Sequence, residues 1–232
     1  MELLKEDLHW CLRRLPKDVV SLLKKKHSKL FLAGGFIRSC IANEKVNDID
    51  LFSTDEVVAE LCATILAGGK YDILKTDYAF TVYGKGRVSV QFIHKWSFAK
   101  PSDVLPSFDF TIARAMLWSD GKKWQSLCDE RFYQDLASKR LTYCSPKRRE
   151  EVGGSMLRIL KFYQRGYRIT LDSLGAVIAR IMTGVDFKKA TSEEDWAFIL
   201  SGLLREVDPA IDPNHSANLP DATNIDKKDE SE

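Results

Sequence analysis

The spacing of hydrophobic positions along the chain changes several times, and each change marks an element. Leu3 to Lys26 repeats apolar residues at helical spacing with Pro16 interrupting, so two short helices are expected. Leu30 to Ala33 is an apolar run of strand length, and Phe36 to Ala42 fits a short helix. Asp48 to Phe52 alternates as a strand, with Asp48 and Asp50 on one face and Ile49 and Leu51 on the other. Glu56 to Leu66 returns to the helical period and is broken by Gly68-Gly69. Strands follow at Asp72 to Lys75, Phe80 to Tyr83 and Arg87 to Ile93, the last two joined through a Gly84-Lys85-Gly86 hairpin turn. These elements describe an α+β unit on a small mixed sheet flanked by helices.

After Trp118 the sequence "SDGK" makes another turn, and from Asp129 onward helical patterns dominate. Ser145-Pro146 reads as a helix start, a capping serine with proline at the first helical position, and Gly166 as its stop. Gly153-Gly154 lies within that segment, and either weakens it or divides it. Leu171 to Met182 and Glu193 to Val207 complete the helices. The expected organisation is a sheet domain over 1–125, an all-helical domain over 126–207 and a tail over 208–232.

Composition adds limits. With 232 residues and 44% hydrophobic content the chain can bury a substantial core. No apolar run approaches the roughly 18 residues of a membrane span, and the start, Met1-Glu2-Leu3-Leu4-Lys5-Glu6-Asp7, carries acids where a signal peptide carries base. A cytoplasmic protein without membrane contact is expected. Five cysteines with no CxxC pair fit buried thiols better than a disulfide framework or a zinc site. From Glu206 to Glu232 eight acids face two lysines, so the remainder carries +8 of the overall +2. A basic body suits a phosphate-rich partner, and the polar, proline-containing tail should be disordered.

The chemistry concentrates in "LFLAGGFIRSCIANEKVNDIDLF", Leu30 to Phe52. Two carboxylates two places apart on a strand either cap a turn or hold one or two divalent cations, for which hard Mg²⁺ prefers oxygen. Gly34-Gly35, between a strand and a helix, lets backbone N–H groups approach an anion, and Arg38 adds charge one turn later. Together they describe a place for a nucleotide's phosphates and its metals.

These residues resemble a family. "GGFIRSCIANEKVNDIDLF" is similar to the signature of the DNA polymerase beta-like nucleotidyltransferases, in the branch of poly(A) polymerases and CCA-adding enzymes (tRNA nucleotidyltransferases). In the same order, "DFTIA" (Asp109 to Ala113) resembles the branch's ribose-binding segment, "DERFYQDL" (Asp129 to Leu136) its hinge and "LRILKF" (Leu157 to Phe162) its neck helix. The resemblance implies a nucleotidyltransferase head followed by a helical neck. It implies Mg²⁺ or Mn²⁺ at Asp48 and Asp50, the triphosphate at Gly34, Gly35 and Arg38, the ribose at Asp109, and the base or a phosphate at Arg158.

The departures are specific. The branch's third carboxylate falls on Gln91, whose carbonyl can still ligate a metal or water, and its arginines before D-F-T fall on Ser107 and Phe108. Of the base-reading E-D-x-x-R only Arg158 is kept, with Gly154 and Ser155 in place of the acids. What the resemblance implies is metal-dependent transfer of an NMP from an NTP to an RNA 3′ end or another hydroxyl, without an ordered CCA product. The alternative is a weakened or inactive NTP- or RNA-binding protein on the same fold. The strip Lys139, Arg140, Lys147, Arg148 and Arg149 is either an acceptor-RNA surface or a solvated helix face. Trp118, Trp124, Trp196 and His94 are expected to be structural.

Overall fold

The computed structural model describes residues 1–25, 29–96, 98, 100–146, 152–186 and 188–204. Helices α1 (Lys5–Arg14) and α2 (Lys17–Leu23) flank Pro16 as expected, followed by β1 (Phe31–Ala33), α3 (Gly35–Ile41), β2 (Asp48–Phe52) and α4 (Glu56–Ala67). Asp55 caps α4 by accepting a 2.8 Å hydrogen bond from the Val58 N–H, and Gly68 ends it in the left-handed region at φ 52°. Asp55→Ala should lower stability by about 1 kcal/mol through loss of that cap, measured as a shift in the urea midpoint.

Strands β3 (Asp72–Lys75), β4 (Ala79–Tyr83), β5 (Ser89–Ile93), β6 (Ala115–Ser119) and β7 (Trp124–Cys128) complete a seven-stranded sheet in the order β3-β4-β5-β2-β1-β6-β7. The β2–β5 pair is parallel and the others are antiparallel. One face, with Leu32, Ile49, Leu51, Val90, Phe92 and Leu117, joins the main core with residues of α1 to α4. The other face carries Phe31, Phe52, Ile93 and Met116 in a smaller cluster with Val104 and Leu105. Asp48 and Asp50 alternate with Ile49 and Leu51 and so share the side of Phe52.

The sheet passes the expected boundary at 125, because β7 pairs with β6 as far as Cys128. The remaining elements are α5 (Phe132–Ala137), β8 (Arg140–Leu141), α6 (Gly154–Gln164), β9 (Arg168–Ile169), α7 (Leu171–Met182) and α8 (Glu193–Leu203). β8 and β9 add a short parallel ladder to a region expected to be wholly helical. Within the segment expected to be helical from Ser145, α6 begins at Gly154, at the glycine pair, and residues 147–151 lie outside the described residues. Ser145 and Pro146 are non-helical, and the chain before them is held by the Phe110–Tyr143 bridge and the 2.7 Å bond from Cys144 N–H to the Asp109 carbonyl. Gly166 stops α6 at φ 83°. The tail over 208–232, the end of the helix expected to reach Val207, and Lys147, Arg148 and Arg149 lie outside the described residues.

One hydrophobic cluster runs from Leu3 through the sheet to Phe162, Tyr167 and Ile181, so the helical part is packed onto the sheet part. The hinge segment contributes a buried polar tie. Asp135 is fully buried and accepts bonds from Thr111 Oγ1 at 2.7 Å and from Arg131 at 3.2 and 3.3 Å. Trp118 meets Phe31 edge-on, Trp124 packs on the core, and Trp196 Nε1 donates to the Ala190 carbonyl. His94 stacks at 5.1 Å on Phe80. All five cysteines are free thiols.

Candidate active site

The turn from β1 into α3 is built around Gly34, whose φ of 83° disfavours any side chain. Its N–H donates to the Ala115 carbonyl at 3.0 Å, which fixes the turn to β6. A Cβ on Gly34 would lie 3.0 Å from the Phe108 ring and 3.9 Å from Asp50 Oδ2; one on Gly35 would lie 3.5 Å from Arg38 Nη2 and 4.0 Å from Asp48 Oδ1. Both carboxylates therefore face the backbone of the glycine pair, and at Gly34 the φ and the close Phe108 ring require glycine.

Asp50 lies directly opposite Gln91 in the parallel β2–β5 register, and Gln91 opposite Thr81 of β4. Equal register puts Asp50, Gln91 and Thr81 on one face. Gln91 is buried while Asp48 and Asp50 are partly exposed. Two carboxylates and a glutamine carbonyl are hard oxygen donors suited to Mg²⁺ or Mn²⁺. Among the described residues, no group of three or more His, Cys, Asp or Glu side chains is placed to hold a metal. A cation placed at Asp48 and Asp50 would therefore take its third donor from Gln91, water or a ligand.

Phe108 occupies a position where the family resemblance puts an arginine. It closes the turn over Gly34, stacked edge-on against Phe52 at 5.7 Å, with its carbonyl accepting from Arg114 Nε at 3.0 Å. Asp109, next along, is buried, and its Oδ2 accepts from Arg158 Nε at 2.6 Å and from Ser155 Oγ at 2.8 Å. The structure brings Asp109 and Arg158 together as an ion pair joining the sheet part to α6. Ser155, at one of the positions that lost an acid, completes that pair.

Arg38 lies on the inner side of α3, its guanidinium 4.9 Å above the Phe162 ring and its Nε 4.0 Å from Glu44. Burial, then repulsion from Arg165, moves it below the ordinary arginine range, against the pull of Tyr167, Glu44 and Asp48. Next to it a cavity of about 150 Å³ opens between α3, the approach to β2 and α6, with Gly35, Asp48 and Arg158 in its wall. Lys45, Lys161 and Arg165 also line it, none of them singled out by sequence motifs. For Lys161 and Arg165 the signal was periodicity, since Arg158, Lys161 and Arg165 recur at three and four places along α6 and into its C-cap.

Comparison with known proteins gives matches of three kinds. The profile of "Gad2: Gabija anti-defense 2 family protein" matches residues 2–139. A curated relative, "Gabija anti-defense 2" of Bacillus phage SPbetaL7, is 26% identical over 181 residues, which are 78% of this chain and 43% of the relative. Among solved structures, the Thermotoga maritima CCA-adding enzyme complexed with tRNA is matched over 87% of this chain and 51% of that one, at TM-score 0.55 and 17% identity. A CCA-adding enzyme in complex with CTP is matched over 87% and 50%, at TM-score 0.56 and 19% identity. At these identities the likeness establishes the nucleotidyltransferase head fold with its mixed sheet. The chain spans about half the length of these relatives. Among the described residues no helix is long and apolar enough to cross a membrane.

Proposed function

The chain belongs to the Gabija anti-defense 2 family, a finer placement than its motifs alone distinguish, and from that premise we propose that it is a metal-dependent nucleotidyltransferase. The observation that carries this reading is the turn at Gly34-Gly35, onto which Asp48 Oδ1 and Asp50 Oδ2 both face. In the proposed reaction an acceptor hydroxyl oxygen bonds to the α-phosphorus of an NTP as the bond to the β-phosphate breaks. Pyrophosphate leaves, and the hydroxyl proton passes to water. Asp48 and Asp50, with Gln91, would hold Mg²⁺ or Mn²⁺, which when bound would supply Lewis-acid activation of the hydroxyl and charge neutralisation of the leaving group.

The chain's own residues position the donor. The backbone of Gly34 and Gly35 and the Arg38 guanidinium hold the triphosphate, while Asp109 and Arg158, locked to each other, present the ribose side of the site. We assign RNA 3′ ends or another hydroxyl as acceptor, and opposition to Gabija defence, the role in its phage relative's name, as the setting. The reaction is tested by incubating the protein with each α-labelled NTP, Mg²⁺ or Mn²⁺, and a panel of RNAs and cell protein. Label in one acceptor class supports the proposal, and products lacking ordered C-C-A fit the absent base-reading acids. NTP binding without label transfer to any acceptor would support a non-catalytic binder instead.

Gln91 gives a further check. Gln91→Glu places a charged oxygen opposite Asp50 and should lower the Mg²⁺ concentration for half-maximal transfer by roughly three- to tenfold, with turnover kept or raised. A titration with unchanged metal dependence would remove Gln91 from the metal site.

A further inference from the structure

Gln91 differs from a carboxylate in one respect that matters to a cation. A carboxylate offers an oxygen whichever way it turns, whereas an amide has a carbonyl oxygen at one end and two N–H donors at the other. Only the carbonyl oxygen suits Mg²⁺ or Mn²⁺, and the NH₂ end turned toward the cation would repel it. A glutamine at this place therefore serves a metal only if a neighbour fixes which end faces Asp50.

The strand register supplies such a neighbour. Gln91 lies opposite Asp50 of β2 on one side and opposite Thr81 of β4 on the other. In an antiparallel pair, directly opposite residues share a face with their Cβ atoms about 4.5–5.5 Å apart, so the Thr81 hydroxyl is within reach of the Gln91 amide. The surroundings are otherwise apolar. Leu74 of β3 follows Thr81 in the row, and the next row on the same face is Phe52, Ile93 and Ala79, all buried.

Thr81 is 3% exposed, and its Oγ1 has no hydrogen-bond partner among the described residues; Gln91 is 5% exposed. A buried hydroxyl without a partner lowers stability, and valine would fill much the same space without that cost. The hydroxyl oxygen also accepts, so it can take an N–H from Gln91 Nε2. The carbonyl end of the amide is then left on the Asp50 side.

Building on the metal reading of Asp48, Asp50 and Gln91, we propose that Thr81 is the positioning residue for Gln91: its Oγ1 accepts a hydrogen bond from the Gln91 side-chain amide and thereby turns the amide carbonyl toward Asp50 and a bound cation. Thr81 itself touches neither metal nor substrate. Its hydroxyl lowers stability without metal and raises metal affinity, two effects that a purely structural threonine does not combine.

The test pairs Mn²⁺ titration, read by the EPR signal of free Mn²⁺, with thermal unfolding in EDTA. Proteins are the wild type, Thr81→Val, Thr81→Ser, Gln91→Glu, the double variant Thr81→Val/Gln91→Glu, and Asp50→Asn. Thr81→Val should unfold at the wild-type temperature or above it, yet bind Mn²⁺ about tenfold more weakly, the low end of what losing an outer partner costs a metal site. Thr81→Ser keeps the hydroxyl and should bind Mn²⁺ within about twofold of wild type. In the Gln91→Glu background both ends of the side chain are oxygens, so Thr81→Val should change Mn²⁺ affinity by no more than about twofold. A packing defect would act equally in both backgrounds.

Unchanged Mn²⁺ affinity in Thr81→Val, an equal loss in both backgrounds, or a Thr81→Val protein that melts well below wild type would overturn the proposal. The reading beneath it fails separately. A wild type that binds no Mn²⁺, or binding that survives Asp50→Asn, would remove the metal site and the positioning role together. Binding lost in Asp50→Asn but indifferent to Thr81→Val would sink the positioning role alone.

Discussion

Asp48→Asn and Asp50→Asn should each reduce nucleotidyl transfer by on the order of 10³-fold, because losing several kcal/mol of metal-borne stabilisation at about 1.4 kcal/mol per decade gives that factor. The fold should not suffer. Both carboxylates face one glycine turn and are themselves partly exposed, and like charges in proximity repel until metal arrives. Melting temperatures at or above wild type in metal-free buffer, together with lost transfer, are the expected pair of results. Transfer within a few-fold of wild type in either variant would remove the two carboxylates from the chemistry.

The second large effect is on stability. Arg158→Ala leaves the buried Asp109 carboxylate bonded to the Ser155 hydroxyl but without its cation, at the junction between the sheet part and α6. Removing one partner of a buried pair costs about 3–5 kcal/mol, and the partial exposure of Arg158 brings the expected loss to about 2–3 kcal/mol. Urea denaturation reads it directly. Asp109→Asn/Arg158→Met, which removes both charges and keeps much of the volume, should recover most of the loss. A double variant no more stable than Arg158→Ala would show that packing rather than charge decides the effect.

Much of the sheet part was legible because its signals are local. Pro16 separates two helices, Gly34-Gly35 and Gly68-Gly69 punctuate the chain, and the alternation at Asp48 to Phe52 places the carboxylates on one face without tertiary information. β6 and β7 were less legible: around the "SDGK" turn their alternation is weak, because Trp118, Trp124 and Gln125 are all only partly buried. The start of α6 was misplaced because Ser145-Pro146 carries a good local helix signal. Arg180 captures the Pro146 carbonyl at 3.0 Å from α7, and a single sequence does not reveal that contact.

The site divides in the same manner. Gly34, Gly35, Asp48, Asp50 and Gln91 are recognisable by motif and come together through strand register. The Asp109–Ser155–Arg158 arrangement could not be read from motifs, since it joins residues 46 and 49 positions apart and uses a serine where an acid was expected. The same holds for Phe108, which replaces a charged residue and becomes the lid of the Gly34 turn through its packing on Phe52. Lys45 and Arg165 reach one cavity only when α6 folds against α3.

The central claim, that an NMP rather than a phosphate is moved, is tested most directly by label position. The protein is incubated with Mg²⁺ and acceptor, with the NTP labelled at either its α- or its γ-phosphorus, and product and pyrophosphate are separated. Nucleotidyl transfer predicts the α-label in the acceptor and the γ-label in pyrophosphate, both lost in Asp50→Asn. A γ-label in the acceptor, or an α-label that stays in unreacted NTP with every acceptor, would contradict it.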